Sequence, residues 1–186
     1  MSTSEPKRTK QEIGGKVPDI TLPLVGSGMR TLSSYLEGKK GAVVVFWSET
    51  CSHCIRYDAY LNSFSSKHPE LGLMVIAARQ GENLDEIRRT ALARGLRFPI
   101  HHDSGGAVAR EWYTQQTPRV FLIDPEFTLL YRGAIDNFKY PEDPEFQPYL
   151  EPAIGAFLAG QPIQRTETAS FGCAIQSVYY ILPKPL

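Results

Sequence analysis

The chain has 186 residues, with 20 Lys+Arg against 20 Asp+Glu, 42% hydrophobic and 22% charged positions. One domain of that size buries roughly 70% of the surface its unfolded chain exposes, so its core needs neither metal nor disulfide to close. Zero net charge and no basic run beyond Lys7-Arg8 and Lys39-Lys40 argue against nucleic acid and an anionic membrane surface as partners, and no segment approaches the ~18 apolar residues of a spanning helix.

Met1 to Gly15 carries hardly an apolar residue, too little to offset its ordering entropy, and reads as a disordered leader over residues 1–15. Because Met1 to Lys16 has no apolar signal-peptide segment, the compartment expected is the cytoplasm, or an extracytoplasmic one if a leader has been removed. Residues 16–160 read as one domain and 161–186 as a tail. Val17 to Leu24 alternates like a short edge strand limited by its prolines, and Gly26-Ser27-Gly28 makes the turn of an N-terminal hairpin. Ala42 to Trp47 is a continuous β-branched and aromatic run, the form of a strand buried on both faces and the best central-strand candidate. Cys51 to His68 has helical spacing through Tyr57, Tyr60, Leu61 and Phe64, and Leu71 to Ala78 is a second buried strand, completing a β-α-β unit.

Asn83 then starts a helix to Leu96, with Glu86 placed as a capping-box partner and Leu84, Ile87, Leu92 and Leu96 along its length. Phe98 to His101 reads as a short strand, Gly106 to Tyr113 as a short helix, Arg119 to Asp124 as a strand and Thr128 to Ile135 as its hairpin partner. Tyr149 to Leu158 closes the domain as an amphipathic helix before Gly160 and Pro162. No repeat recurs at a period of about 20 to 50 residues.

Three cysteines in a chain that needs none for stability call for chemistry. Cys51-Ser52-His53-Cys54 lies directly between the buried strand and the first helix, the context in which a CxxC reads as a redox pair. In the first helical turn, unsatisfied N–H groups and the dipole favour a thiolate on Cys51, with Cys54 one turn deeper to resolve it. Half of a structural zinc site is the competing reading, but it needs two more ligands and there is no second CxxC. His101-His102 offers nitrogens in principle, and a His pair at a strand end reads as surface or half-buried polar filler. When protonated, His53 would add positive charge beside Cys51, stabilise the reduced form and raise the potential above the about −270 mV of thioredoxin. Thr117-Pro118, just before a buried strand, suits a cis peptide, leaving the backbone of Thr117 to pair with an extended partner chain.

Phe46-Trp47, Cys51-Ser52-His53-Cys54, Thr117-Pro118 and Phe121-Leu122-Ile123-Asp124 together resemble the thioredoxin superfamily on its redoxin (AhpC/TSA and TlpA-like) side, as does the opening Val17-Pro18-Asp19. Glu49 to Cys54, Tyr131 to Asp136 and Glu167 to Ile175 look like a bacterial redoxin-like family with a CxHC site and a Gly-Cys-x-Ile tail. Over about Gly15 to Ile175 the resemblance implies an α/β thioredoxin-like fold: a central mixed sheet flanked by helices, with the N-terminal hairpin as an extension. It also implies Cys51 as nucleophile, Cys54 as resolving thiol, Pro118 as cis-proline, and the Cys51-Cys54 disulfide itself in place of a cofactor. Accessory roles then fall to Trp47, whose emission a nearby disulfide would quench, and to Glu49, Thr50 and Cys173.

The departures from the pattern are specific. Val45 stands where thioredoxins bury an Asp, so the Cys54 proton must leave through water, His53, Glu49 or another group. Tyr57 stands where many TlpA-like proteins have a Glu, and Thr50 replaces the usual Trp, leaving a hydroxyl beside Cys51. Cys173 is either a small buried hydrophobe or a second resolving thiol, on a tail apolar enough after Gly172 to fold back or to join a second copy in a homodimer.

Two functions compete. One is a thiol-disulfide oxidoreductase exchanging with a protein or small-molecule thiol or disulfide and with an external reductant or oxidant protein. The other is a thiol peroxidase with an antioxidant role, in which a Cys51 sulfenic acid is resolved by Cys54 or Cys173. At the positions where peroxiredoxins place Pro, Thr/Ser and Arg around the peroxide, this chain has Val44, Ser48 and Pro118, with Arg119 one residue out of register. Only Ser48 matches, which favours disulfide exchange.

Overall fold

A computed structural model describes residues 10–138, 140 and 142–176. Its centre is a five-stranded sheet ordered β5-β4-β3-β7-β8. Strands β3 (Gly41–Trp47), β4 (Leu71–Ala77) and β5 (Ile100–His102) run parallel, while β7 (Arg119–Ile123) and β8 (Leu129–Gly133) add antiparallel. This is the mixed sheet of a thioredoxin-like fold. Strand β3 takes the middle because every residue from Gly41 to Trp47 is buried, and only a strand covered on both faces accommodates such a run.

Successive side chains of β3 alternate between two cores. Val43, Val45 and Trp47 pack with Leu61 and Phe64 of α3 (Asp58–Lys67), Ile87 of α4 (Leu84–Ala93) and Ile154 of α6 (Leu150–Leu158). Ala42, Val44 and Phe46 pack on the other face with Leu36 of α1 (Ser33–Leu36), Ala109 of α5 (Ala107–Glu111) and Trp112. The N-terminal hairpin is β1 (Thr21–Pro23) against β2 (Met29–Thr31), in a separate two-stranded sheet. A third sheet pairs β6 (Gln116–Thr117) with β9 (Cys173–Ala174).

Several sequence expectations change. The helix expected from Cys51 to His68 is two helices, α2 (Ser52–Ile55) and α3, separated at Arg56 and Tyr57, where the Tyr57 hydroxyl is held by Asp136 Oδ1 at 2.5 Å. Asn83 caps α4, its Oδ1 accepting from the Glu86 amide at 3.0 Å. Leu92, however, is 77% exposed while Ile87 is buried, because five residues turn a helix by about 140° away from its starting face. The His pair is not surface filler. His101 is fully buried, with Nδ1 3.0 Å from the Val75 carbonyl oxygen and Nε2 3.0 Å from the Tyr35 hydroxyl, and burial pushes its pKa down. His102 is also buried, its Nε2 3.1 Å from the Glu82 carbonyl oxygen.

The leader expectation fails for residues 10–15. The Gly14 amide donates to the Leu129 carbonyl at 2.8 Å, Arg132 Nη1 donates to the Gln11 carbonyl at 2.7 Å, and Lys10 pairs with Glu167 at 2.7 Å. Backbone pairing to β8 thus supplies the anchoring that composition does not show. Residues 1–9 and the apolar stretch after Gln176 lie outside the described residues.

Candidate active site

The end of β3 delivers the chain into Ser48, Glu49 and Thr50, and Cys51 is the N-cap residue of α2. The Cys54 amide donates to the Cys51 carbonyl at 2.9 Å, placing the second cysteine one tight turn along. Both are fully buried. The Thr117-Pro118 peptide is cis, and the Thr117 carbonyl oxygen lies 3.3 Å from Cys51 Sγ. The third cysteine joins them: Cys173 Sγ is 2.7 Å from Cys51 Sγ. All three thiols are free.

These neighbours give the sulfurs opposite character. Cys51 is pulled down to about 4, first by a hydrogen bond from Cys54, against the opposing cost of burial, and then by hydrogen bonds from Cys173 and Thr117. Cys54 is pushed far up, chiefly by burial and then by its hydrogen bond to Cys51 and the charge there. Cys173 is pushed up by burial and by the same charge. Each thiol thus donates to the anion on Cys51 and is itself kept protonated by it. The Thr117 hydroxyl is buried without a hydrogen-bond partner and lowers the pKa of either sulfur, favouring a thiolate there.

The His53 ring turns to Phe171 in an edge contact at 5.2 Å, and its backbone amide faces the Cys173 sulfur. Thr50 does leave a hydroxyl at the site, engaged by Arg79 Nη1 at 2.7 Å. Glu49 is buried with Oε2 accepting from Thr90 Oγ1 at 2.7 Å, so its carboxylate serves α4. Trp47 lies in the same core cluster as Cys51 and Cys54, with the Arg94 guanidinium 5.4 Å over its ring. Val45 is fully buried and supplies no proton acceptor beneath Cys54.

The free edge expected at Thr117 is occupied. Thr117 pairs with Cys173 and Gln116 with Ala174, antiparallel, so the chain's own tail takes the place assigned to a partner. Glu82 is the residue that sequence reasoning missed. It accepts from Ser48 Oγ at 2.6 Å, from the Glu49 amide at 2.8 Å and from the Arg79 amide at 3.1 Å, and burial raises its pKa. Lying in a loop outside any motif, it carries no sequence signal; its role follows from how that loop folds back onto the end of β3.

A cavity of about 420 Å3 is lined by His53, which lies between the two cysteines in sequence, and by Tyr57, Pro118, Ile135, Phe138 and Phe171. Another of about 910 Å3 lies between Tyr149, Pro152 and Arg165, and no cysteine lines either one. Among the described residues no group of three or more His, Cys, Asp or Glu side chains is arranged to hold a metal ion, and no helix is long and apolar enough to cross a membrane.

Known proteins resemble this chain in sequence and in fold. The thiol-disulfide oxidoreductase ResA of Bacillus thuringiensis subsp. konkukian is 28% identical over 120 residues, covering 64% of this chain and 68% of that protein. The crystal structure of hypothetical protein SMc02350 from Sinorhizobium meliloti 1021 superposes with a TM-score of 0.79 at 25% identity, covering 90% of this chain and 95% of that one. A secreted Mycobacterium tuberculosis disulfide oxidoreductase homologous to Escherichia coli DsbE shares the fold, with a TM-score of 0.55 at 16% identity over 75% of this chain and 95% of that one. The AhpC/TSA family model matches residues 13–132, a span running from the docked N-terminal segment through Cys51, Cys54 and Pro118 to β8, and the chain belongs to that family.

Proposed function

We propose that the protein is a thiol-disulfide oxidoreductase working through a Cys51/Cys54 dithiol-disulfide couple, with no other cofactor. The observation that carries this reading is the placement of two buried cysteines one turn apart at the start of α2, beside the cis Thr117-Pro118 peptide, with Cys51 pulled down to about 4 and Cys54 pushed up. At neutral pH one sulfur is a nucleophile and the other a stored proton.

In the forward direction the Cys51 thiolate attacks a substrate disulfide. A bond forms from Cys51 Sγ to one substrate sulfur, the substrate S–S bond breaks, and its electron pair leaves on the other sulfur, which takes a proton. The negative charge on Cys51 is now gone, and with it two of the causes that keep Cys54 protonated. The Ser48 backbone and the Thr117 hydroxyl remain to stabilise a Cys54 thiolate. Cys54 then attacks Cys51 Sγ, the Cys51-Cys54 bond forms, and the remaining substrate half leaves with the electron pair and the proton that Cys54 gave up. Without a carboxylate at Val45, the departing thiolate is the base that needs no further group. The same steps reversed reduce the internal disulfide. The cavity beside His53 suits the side chains flanking a substrate cysteine, so proteins or small molecules bearing thiols and disulfides are the partners.

A peroxidase would need donors converging on a peroxide at Cys51. Ser48 Oγ instead donates to Glu82 Oε1 at 2.6 Å, and Arg119 Nη1 donates to Ser170 Oγ at 2.8 Å. These engagements favour exchange. The test mixes reduced protein separately with hydroxyethyl disulfide and with hydrogen peroxide, follows Trp47 emission, and maps the product disulfide by mass. Fast formation of a Cys51-Cys54 bond with the disulfide and slow reaction with peroxide is the expected result. Faster reaction with peroxide, through a Cys51 sulfenic acid, would replace this reading with the peroxidase.

A further inference from the structure

The Thr117 edge holds a strand of the protein itself, and that strand carries a thiol. We propose that Cys173 is a third redox-active thiol, presented to Cys51 on β9 as an internal substrate, which takes the disulfide over from Cys54 and brings it to the surface as Cys51-Cys173. The proposal rests on the Cys51/Cys54 reading above and extends it.

Three observations carry it. The Cys173 and Cys51 sulfurs are 2.7 Å apart, while Cys173 and Thr117 are backbone partners in an antiparallel ladder. The strand is built in rather than resting there: the Ile175 amide donates to the Gln115 carbonyl at 2.9 Å, the Gln80 amide donates to the Ile175 carbonyl at 2.8 Å, and the Ile175 side chain is 2% exposed in the core. Upstream, the Arg132 amide donates to the Thr166 carbonyl at 3.0 Å and Arg119 holds Ser170, so the segment is led along β8 to the sulfurs. Finally, Cys51 and Cys54 are fully buried whereas Cys173 is partly exposed. Of the three cysteines, Cys173 is the one with exposed surface in this arrangement.

The exchange balances without an outside reagent. Starting from the Cys51-Cys54 disulfide, the Cys173 thiolate attacks Cys51 Sγ. The Cys51-Cys173 bond forms, the Cys51-Cys54 bond breaks, and its electron pair leaves on Cys54, which takes the proton Cys173 released. Cys54 is suited to receive it, since burial favours its thiol form. An external thiolate then attacks Cys173 Sγ, and Cys51 leaves as the stable thiolate it is in the reduced state.

Gly172 gives a handle on β9 that touches no sulfur, because a Cβ there would overlap the Thr117 carbonyl oxygen. The full-length protein and three variants, Cys54→Ala, Cys173→Ser and Gly172→Ala, are oxidised with glutathione disulfide, quenched in acid and mapped by peptide mass. Cys54→Ala should end with an intramolecular Cys51-Cys173 disulfide and no lasting glutathione adduct. Unsubstituted protein should show both Cys51-Cys54 and Cys51-Cys173 bonds, and Gly172→Ala should lower the Cys51-Cys173 share by about tenfold or more, since overpacking displaces the strand. A folded Cys54→Ala protein left glutathionylated at Cys51 with Cys173 free would overturn the proposal, as would a Cys51-Cys173 share unchanged by Gly172→Ala. Should Cys54→Ala fail to fold, the unsubstituted protein decides, because absence of any Cys51-Cys173 bond there is equally fatal. Cys173→Ser separates the two readings: if it forms no Cys51-Cys54 bond, the underlying couple is wrong.

Discussion

Replacing Cys54 by Ala in the reduced protein should weaken the acidity of Cys51 and yet speed its first reaction. The Cys54 hydrogen bond is the foremost of the groups holding Cys51 down at about 4. A hydrogen bond to a charged group contributes about 1.5–3 kcal/mol, and about 1.36 kcal/mol corresponds to one pH unit in a titration midpoint. The midpoint should therefore rise by about 1 to 2 pH units, followed by far-ultraviolet thiolate absorbance across an acid titration. Cys173→Ala should raise it less, because Cys173 ranks behind Cys54 among those causes. Cys54→Ser, which keeps a donor, should fall between unsubstituted protein and Cys54→Ala. Even after this rise Cys51 stays ionised at neutral pH, so the change in its attack on a small disulfide follows intrinsic nucleophilicity. With a Brønsted slope of about 0.4–0.5, that rate should increase about 2.5- to 10-fold. Near-ultraviolet circular dichroism checks that the buried substitution leaves the core packed. A midpoint that stays put in Cys54→Ala, or moves further in Cys173→Ala, would refute the assignment of Cys54 as the principal donor.

Three further outcomes follow from other parts of the structure. Thr117→Val removes a buried hydroxyl that has no partner among neutral groups, so thermal stability of the oxidised protein should hold or rise while the Cys51 midpoint in the reduced protein moves up; a clear loss of oxidised-state stability would contradict this. Gly72→Ala in β4 sets a Cβ against the Tyr35 carbonyl oxygen, where backbone has no room to yield, and should cost about 3 kcal/mol or more in urea denaturation. The Glu167 carboxyl is held at about 2 by hydrogen bonds from Arg132 and Lys10, below its ordinary 4.5. A depressed acid stabilises the fold fully above its unfolded pKa and loses that contribution as pH falls through the folded one. Stability should thus decline between about 4.5 and about 2, and Glu167→Gln should flatten that decline; an equal slope in both proteins would show that Glu167 is not its source.

Much of the fold was legible because burial on both faces of a sheet writes itself into local sequence. Ala42 to Trp47 and Leu71 to Ala78 are runs that no surface tolerates, so they announced β3 and β4, and the CxxC between strand and helix followed from them. Thr117-Pro118 and the strand after it were equally readable from local constraint. The less readable parts are those in which the partner lies far along the chain. His101 looked like polar filler because its two partners, Val75 and Tyr35, are 26 and 66 residues away. Glu82 carried no motif because its importance is a loop folding onto the end of β3.

By itself, then, the sequence determined the α/β class, the order of its main strands and helices, and the placement of a CxxC between the central strand and the helix that follows it, since each depends on periodicity or spacing within a few residues. It left open what Cys173 does and where Thr117 finds its backbone partner. A two-residue ladder such as β6 with β9 has no periodicity to read, and 122 residues separate Cys173 from Cys51. Only the folded chain, which leads its tail back along β8, decides that the third thiol meets the first.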